Sequence, residues 1–188
     1  MTRTLVFGGA RSGKSAHAEK LARESGKEIV YIATAQAGDE EMATRVRHHR
    51  AQRPVEWATL EEPLRLGDAI LREALPGRLL LVDCLTLWLT NLMCSSGETY
   101  PDVGDIALSE LFHSERAHLL YALAEMADTD CDLILVSNEV GMGIVPYGAI
   151  SRCFTDEAGR LNQAVAAICD RAVFVAAGLP LHLKGAPC

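Results

Sequence analysis

Short, unbroken apolar runs recur along the chain, separated by longer stretches with helical composition or a three-to-four-residue apolar stripe. Thr4–Phe7, Glu28–Ala33, Arg78–Asp83, Asp132–Ser137 and Ala172–Ala176 are runs of this kind, each the length of a buried strand. Val55–Thr59 predicts one more strand, and Leu179–Lys184 a strand at the sheet edge. Between them, Lys14–Glu24 is rich in Ala, Lys, Glu and Leu and predicts a helix. Asp39–Gln52 predicts another, with Met42, Val46 and His49 on one stripe and Arg53-Pro54 ending it. Further helices are expected from Pro63, at a first-turn position, to about Ala74, from Ile106 to Ala127, and from about Asp156 to Cys169. Cys84–Met93 reads as a buried helix or turn, and Ser95–Asp105 as a polar loop.

Apolar strands alternating with helices imply an α/β fold, a mostly parallel sheet flanked by helices in three layers. With 188 residues, a single catalytic domain over 1–188 is expected. Ligands of such sheets bind at the carboxyl ends of the strands, which gathers the strand ends at Gly8, Ala33, Asp83 and Ser137 around one site.

Charge and composition narrow the class of partner. A net charge of −7 argues against a broad nucleic-acid or membrane-surface footprint. No apolar run approaches the ~18 residues of a membrane span, and no charged-then-apolar leader precedes Thr4, so a cytoplasmic protein without membrane insertion is expected. The six cysteines are scattered without a C-x-x-C pair and read as reduced thiols rather than disulfides or zinc ligands.

Chemistry first shows in Gly8-Gly9-Ala10-Arg11-Ser12-Gly13-Lys14-Ser15, which fits G-x-x-x-x-G-K-[ST] between a strand and a helix. Glycines let the backbone wrap a phosphate with several N–H groups pointing inward, and the helix behind adds its positive end. Lys14 is placed to reach the β- and γ-phosphates of a nucleoside triphosphate, and the Ser15 hydroxyl to ligate Mg2+. Asp83 ends an apolar strand, the position of the second magnesium-organising acid in such proteins.

Arg45-Val46-Arg47-His48-His49-Arg50-Ala51-Gln52-Arg53 concentrates four arginines and two histidines in an acidic chain. It reads as a solvated helix face or as a triphosphate clamp around a nucleophilic histidine; no aromatics are interleaved for stacking on bases. Neutral imidazole attacks phosphorus and forms a phosphoramidate, and neighbouring guanidinium groups favour that neutral form. Adjacent helical residues point about 100° apart, so His48 and His49 cannot share a direction, and helix geometry leaves open which one reacts. Asn138–Pro146 follows a core strand, and its glycines suit either a close backbone approach at the rim of the site or a structural loop. The chain lacks an Asn-Lys-x-Asp guanine-reading motif and an Asp-x-x-Gly after Asp83, which argues against a GTPase-type regulatory module. A simple small-molecule kinase stays open on these residues alone. His17, His113, His118 and His182 lack ligand spacing and read as ordinary helix or edge residues.

The ordered set of blocks resembles the bifunctional adenosylcobinamide kinase / adenosylcobinamide-phosphate guanylyltransferase family of cobalamin biosynthesis. The blocks are Gly8–Ser15, Tyr31–Thr34, Asp39–Met42 with Arg45–Pro54, Asp83–Thr86, Thr90–Leu92, Ser137–Pro146 and Gly159–Gln163. The resemblance implies a RecA-like P-loop fold, a homotrimer, and two reactions. In the first, ATP or GTP phosphorylates the aminopropanol hydroxyl of adenosylcobinamide. In the second, GTP guanylylates a histidine with loss of pyrophosphate, and GMP passes to the cobinamide phosphate to give adenosylcobinamide-GDP. It further implies that His48 carries the GMP. The nucleotide contacts it implies are Gly8, Gly9, Ala10, Arg11, Ser12, Gly13, Lys14, Ser15, Ala33, Thr34, Ala35, His49, Arg50, Ala51, Gln52, Glu61 and Asp83, with Ser15 and Asp83 on Mg2+.

Overall fold

The computed structural model describes residues 1–36, 54, 56–95, 97 and 100–186. The predicted helix Asp39–Gln52, with His48, His49, Arg50, Ala51 and Gln52, lies outside the described residues.

Seven strands form one sheet in the order β3-β2-β4-β5-β1-β6-β7. They are β1 (Arg3–Gly8), β2 (Glu28–Ala33), β3 (Ala58–Glu61), β4 (Arg78–Asp83), β5 (Asp132–Asn138), β6 (Arg171–Ala176) and β7 (Leu179–Lys184). All neighbours pair in parallel except β6 with β7. The connecting helices are α1 (Lys14–Glu24), α2 (Leu66–Glu73), α3 (Leu85–Cys94), α4 (Glu110–Glu125) and α5 (Ala149–Ile168).

Alternation of side chains along each strand divides the core in two. Leu5, Ile32, Leu80, Val82, Leu133 and Leu135 face one way, onto α2–α5 and the fully buried Trp88, Phe112 and Leu161. Val6, Tyr31, Leu81, Ile134, Val136 and Val173 face the other way, onto Ala18 and Ala22 of α1 and onto Trp57. Burial on both faces is why these strands are continuous apolar runs rather than alternating ones.

Several element boundaries differ from the sequence expectation, each for a local reason. The strand expected at Val55–Thr59 begins at Ala58, because the Trp57 N–H turns back to the Pro54 carbonyl before pairing with β2 starts. Pro63 stands ahead of α2 rather than in its first turn; the Glu62 carboxylate accepts the Leu64 and Arg65 N–H groups and holds a turn there. The helix expected from Ile106 starts at Glu110, capped by the Ser109 hydroxyl, which accepts from the Phe112 N–H. The helix expected from Asp156 starts seven residues earlier, at Ala149.

At the amino ends of the strands, Asp170 closes the sheet. Its carboxylate takes the Arg3 N–H at 2.8 Å and the Arg3 guanidinium at 3.2 and 3.3 Å, while its own N–H donates to the Arg3 carbonyl. The Arg3 guanidinium hydrogen-bonded to it holds the Asp170 carboxyl below its ordinary value of 3.8. A carboxyl that is more acidic folded than unfolded contributes stability above the unfolded value and loses it as pH falls through the folded one. Asp170→Asn is therefore expected to lower the unfolding midpoint at pH 7, by no more than about 1 kcal/mol for a pair this exposed. The gap to the parent protein should close as pH drops below about 3.8, which urea titrations at several pH values would measure.

Candidate active site

The register sets the ends of the central strands level. Gly8 lies beside Asn138, Asp83 beside Val136, and Ala33 beside both Asp83 and Glu61. The strand ends expected to meet do meet, and Glu61 joins them as the last residue of β3.

The phosphate loop Gly8–Ser15 springs from the end of β1. A Cβ on Gly8 would stand 2.2 Å from the Val175 carbonyl oxygen, so only glycine fits where the loop leaves the sheet. Arg11 and Gly13 take left-handed backbone angles, with φ of 55° and 94°. Gly13 caps α1 with no side-chain cap bond and no acidic residue in the first turn, leaving the positive end of the helix uncompensated. Lys14 is nearly buried along the loop, its Nζ donating to the Gly9 carbonyl at 3.2 Å. The Ser12 hydroxyl is buried with no hydrogen-bond partner among the described residues. A left-handed loop, an open helix terminus and an orphaned donor together make a cradle that phosphate oxygens fit.

The β6–β7 hairpin braces this cradle. Its turn residues Ala177 and Gly178 both have positive φ, and the Gly178 N–H donates to the Ser12 carbonyl at 2.8 Å. Sequence reading placed the edge strand but missed this contact; the Ala-Gly step between two apolar runs is the signal for the tight turn.

Asp83 faces the site from the end of β4. The Tyr31 hydroxyl donates to its Oδ2 at 2.9 Å, and the following peptide to Cys84 is cis. Thr34, fully buried, holds that next residue from both sides: its Oγ1 donates to the Cys84 carbonyl at 2.8 Å and accepts the Cys84 N–H at 2.9 Å. Asn91 of α3 donates to the Thr34 carbonyl at 2.7 Å and to the Pro63 carbonyl at 3.1 Å. On the other side, Asn138 donates to the Thr86 hydroxyl, and Asn162 of α5 donates to the Asn138 carbonyl at 3.2 Å. Thr86, Asn91 and Asn162 had no role in the sequence reading, although a polar residue inside the apolar α3 is a visible anomaly. Burial, with the Asp83 charge adding to it, pushes the Cys84 thiol up to about 11, so it stays protonated and is no nucleophile at neutral pH.

Hard oxygen donors at Ser15 and Asp83, beside a triphosphate cradle, suit Mg2+ rather than a softer metal. Among the described residues no group of three or more His, Cys, Asp or Glu could hold a metal by itself. His17 and His182, far apart in sequence, come together with Lys20 and Glu24 along a separate cavity between α1 and β7. The five described cysteines are all free thiols, as expected. No helix among the described residues is long and apolar enough to cross a membrane.

Comparison with known proteins agrees with this geometry. By fold, the chain is similar to the ATPase EscN of a type III secretion system (TM-score 0.55, 16% identity, 94% of this chain, 43% of that one). It is similar also to the P4 protein of bacteriophage phi6 in complex with ADP (TM-score 0.50, 13% identity, 96% of this chain, 54% of that one). These likenesses are of fold alone, the mostly parallel, helix-flanked sheet of the P-loop, RecA-like architecture. In sequence it is 53% identical to the bifunctional adenosylcobalamin biosynthesis protein CobP of Pseudomonas aeruginosa, over 98% of this chain and 99% of that protein. It is 40% identical to CobU of Salmonella typhimurium, named likewise, over 96% and 98%. The family model described as cobinamide kinase / cobinamide phosphate guanyltransferase matches residues 4–183. The chain belongs to the cobinamide kinase / cobinamide phosphate guanyltransferase family.

Proposed function

We propose that this chain phosphorylates adenosylcobinamide with ATP or GTP and then transfers GMP from GTP to the product through His48, yielding adenosylcobinamide-GDP and pyrophosphate. The observation that carries the reading is the phosphate cradle of Gly8–Ser15 set across one intervening strand, β5, from Asp83, in a chain of this family.

In the kinase step the acceptor hydroxyl oxygen attacks the γ-phosphorus, the bond from that phosphorus to the β–γ bridging oxygen breaks, and a nucleoside diphosphate leaves as the hydroxyl gives up its proton. The loop N–H groups and the positive end of α1 bind the phosphates, and Lys14 swings from the Gly9 carbonyl to the β- and γ-oxygens. Ser15 and Asp83 would hold Mg2+, which neutralises charge on the β- and γ-phosphates when bound. The Tyr31 hydroxyl fixes the Asp83 carboxylate for that task.

In the second step an imidazole nitrogen of His48 attacks the α-phosphorus of GTP and pyrophosphate departs. A phosphate oxygen of cobinamide phosphate then attacks the same phosphorus and releases His48. Ala33 and Ala35, which flank the buried Thr34, complete the nucleotide contacts with His49, Arg50, Ala51, Gln52 and Glu61; Ala33 and Glu61 share a register position at the rim. Residues 1–188 act as a single catalytic domain, in the cytoplasm, as a homotrimer. Free cysteines are in keeping with a reducing compartment.

Incubation with α-labelled GTP should leave an acid-labile, alkali-stable label on the protein. His48→Ala should lose both label and GMP transfer while kinase turnover persists; equal labelling in that variant would move the nucleophile to His49. Lys14→Ala should lower kinase kcat by about two to three orders of magnitude in a coupled assay, the effect of removing one transition-state donor. Thr34→Val leaves a buried N–H and carbonyl of Cys84 unpaired, and should cost about 1–3 kcal/mol in urea unfolding. It should also raise the Mg2+ concentration needed for half-maximal kinase rate, because Asp83 loses its support.

A further inference from the structure

The segment leaving β5 is tied to the phosphate loop and yet presents its side chains outward. The Glu139 N–H donates to the Gly8 carbonyl at 3.0 Å, and the Glu139 carboxylate accepts the Gly141 N–H at 2.6 Å, so its first residues are fixed against the cradle. Beyond them Met142 is 78% exposed, Ile144 98%, Val145 74% and Tyr147 87%. Four large apolar side chains within six residues make a concentrated apolar surface on an acidic protein, and none is needed to hold the fold. The far end is fixed as well, since Arg152 of α5 donates to the Pro146 and Tyr147 carbonyls.

Two adjoining cavities open beside this segment. One, of about 510 Å3, lies between Val140–Pro146 and the α5 residues Arg152, Asp156, Arg160 and Gln163. The other, of about 290 Å3, is apolar, walled by Met93, Cys94, Tyr100, Ile150 and Phe154. Pro146 and Thr155 line both, so the two adjoin at these residues.

Resting on the function proposed above, we infer that this segment and the two cavities are the site of the corrinoid acceptor. The phosphoryl acceptor is a broad macrocycle, studded with methyl groups and fringed with amides, that must bring one hydroxyl in line with the γ-phosphate. Its holder must therefore adjoin the phosphate loop, offer apolar area for a ring face, and offer donors and acceptors for amides. The Glu139–Gly8 hydrogen bond gives the adjacency, Ile144, Val145 and Tyr147 give the apolar area, and Arg152, Asp156, Arg160 and Gln163 give the polar rim. The apolar cavity beyond Thr155 takes a peripheral part of the corrinoid. None of these side chains is among the nucleotide contacts proposed above.

The test follows adenosylcobinamide by its visible absorbance in equilibrium dialysis against the full-length protein, alongside kinase kinetics. The double variant Ile144→Ser/Val145→Ser should weaken corrinoid binding and raise its KM at least about tenfold. Thr155→Trp, which blocks the junction of the cavities, should do the same. In both, the KM for ATP and labelling by α-labelled GTP should stay within about twofold, which also reports that the variants fold. Unchanged corrinoid affinity in both variants overturns the placement. So does weakened binding that sedimentation shows to accompany loss of the oligomer, because the surface is then a contact between copies. A parent protein that neither binds nor phosphorylates adenosylcobinamide defeats the functional reading itself, whatever the variants do.

Discussion

Where parallel strands stop, their last N–H and carbonyl groups lose their ladder partners while still buried, and the organisation of this site depends on how those groups are satisfied. Each group left unpaired would cost about 1–3 kcal/mol. The Thr34 side chain solves the problem at β4 by bonding both backbone groups of Cys84. Asn91 then takes the Thr34 carbonyl, and Asn162 takes the carbonyl of Asn138. The result is a chain of short side chains linking the ends of β2, β4 and β5 to α3 and α5. Asp83 sits inside that chain, so its position is inherited from pairings that involve no ligand. In the proposed role, where Asp83 faces a triphosphate, the site gains from this, since little reorganisation remains when the nucleotide arrives.

The same economy explains the phosphate loop. Gly8 is confined by the Val175 carbonyl on one side, while Gly178 reaches from the hairpin turn to the Ser12 carbonyl on the other. The loop is thus clamped by backbone from β6 and β7 rather than by side chains that would compete for the phosphates. An edge hairpin that looks peripheral is a structural support of the catalytic centre.

Most of the sheet was legible because burial on both faces leaves an unmistakable run of apolar residues; β2 and β4 occupy the very residues expected, and β1 is longer by one residue at each end. The phosphate loop was legible for a similar reason, its residue types being dictated by backbone geometry and by phosphate chemistry. What escaped were features settled by distant partners. The start of α5 at Ala149 was hidden by Ser151, Arg152 and Thr155, which look like loop residues. Ile150, Cys153 and Phe154, at helical spacing, nevertheless pack on the core. The bonds Thr34 makes to Cys84, and those of Asn138 and Asn162, could not be foreseen, because a Thr or Asn acquires such a role only through partners 24 to 52 residues away. His17 and His182 looked unrelated until β7 folded back beside α1. The His48 segment lies outside the described residues, so its role stands on the resemblance and the chemistry of its residue types.

The two sides of the rim are built by different rules, and that division suits an enzyme with two reactions. The phosphate side is backbone and small polar groups locked by the sheet, as phosphate recognition demands rigid, repeatable geometry. The opposite side is an outward-facing apolar segment pinned at its two ends, with cavities rather than a closed cradle behind it. A nucleotide is compact and highly charged, so dipoles and N–H groups can recognise it almost completely. A large amphipathic acceptor has little charge to grip and must be held by area, which needs exposed apolar side chains that a lone soluble domain would ordinarily avoid. That exposure is confined to a short segment pinned at Glu139 and Arg152. In the proposed sequence the phosphate gained in the first reaction is the nucleophile of the second, so the acceptor surface must hold the corrinoid both before and after it is phosphorylated.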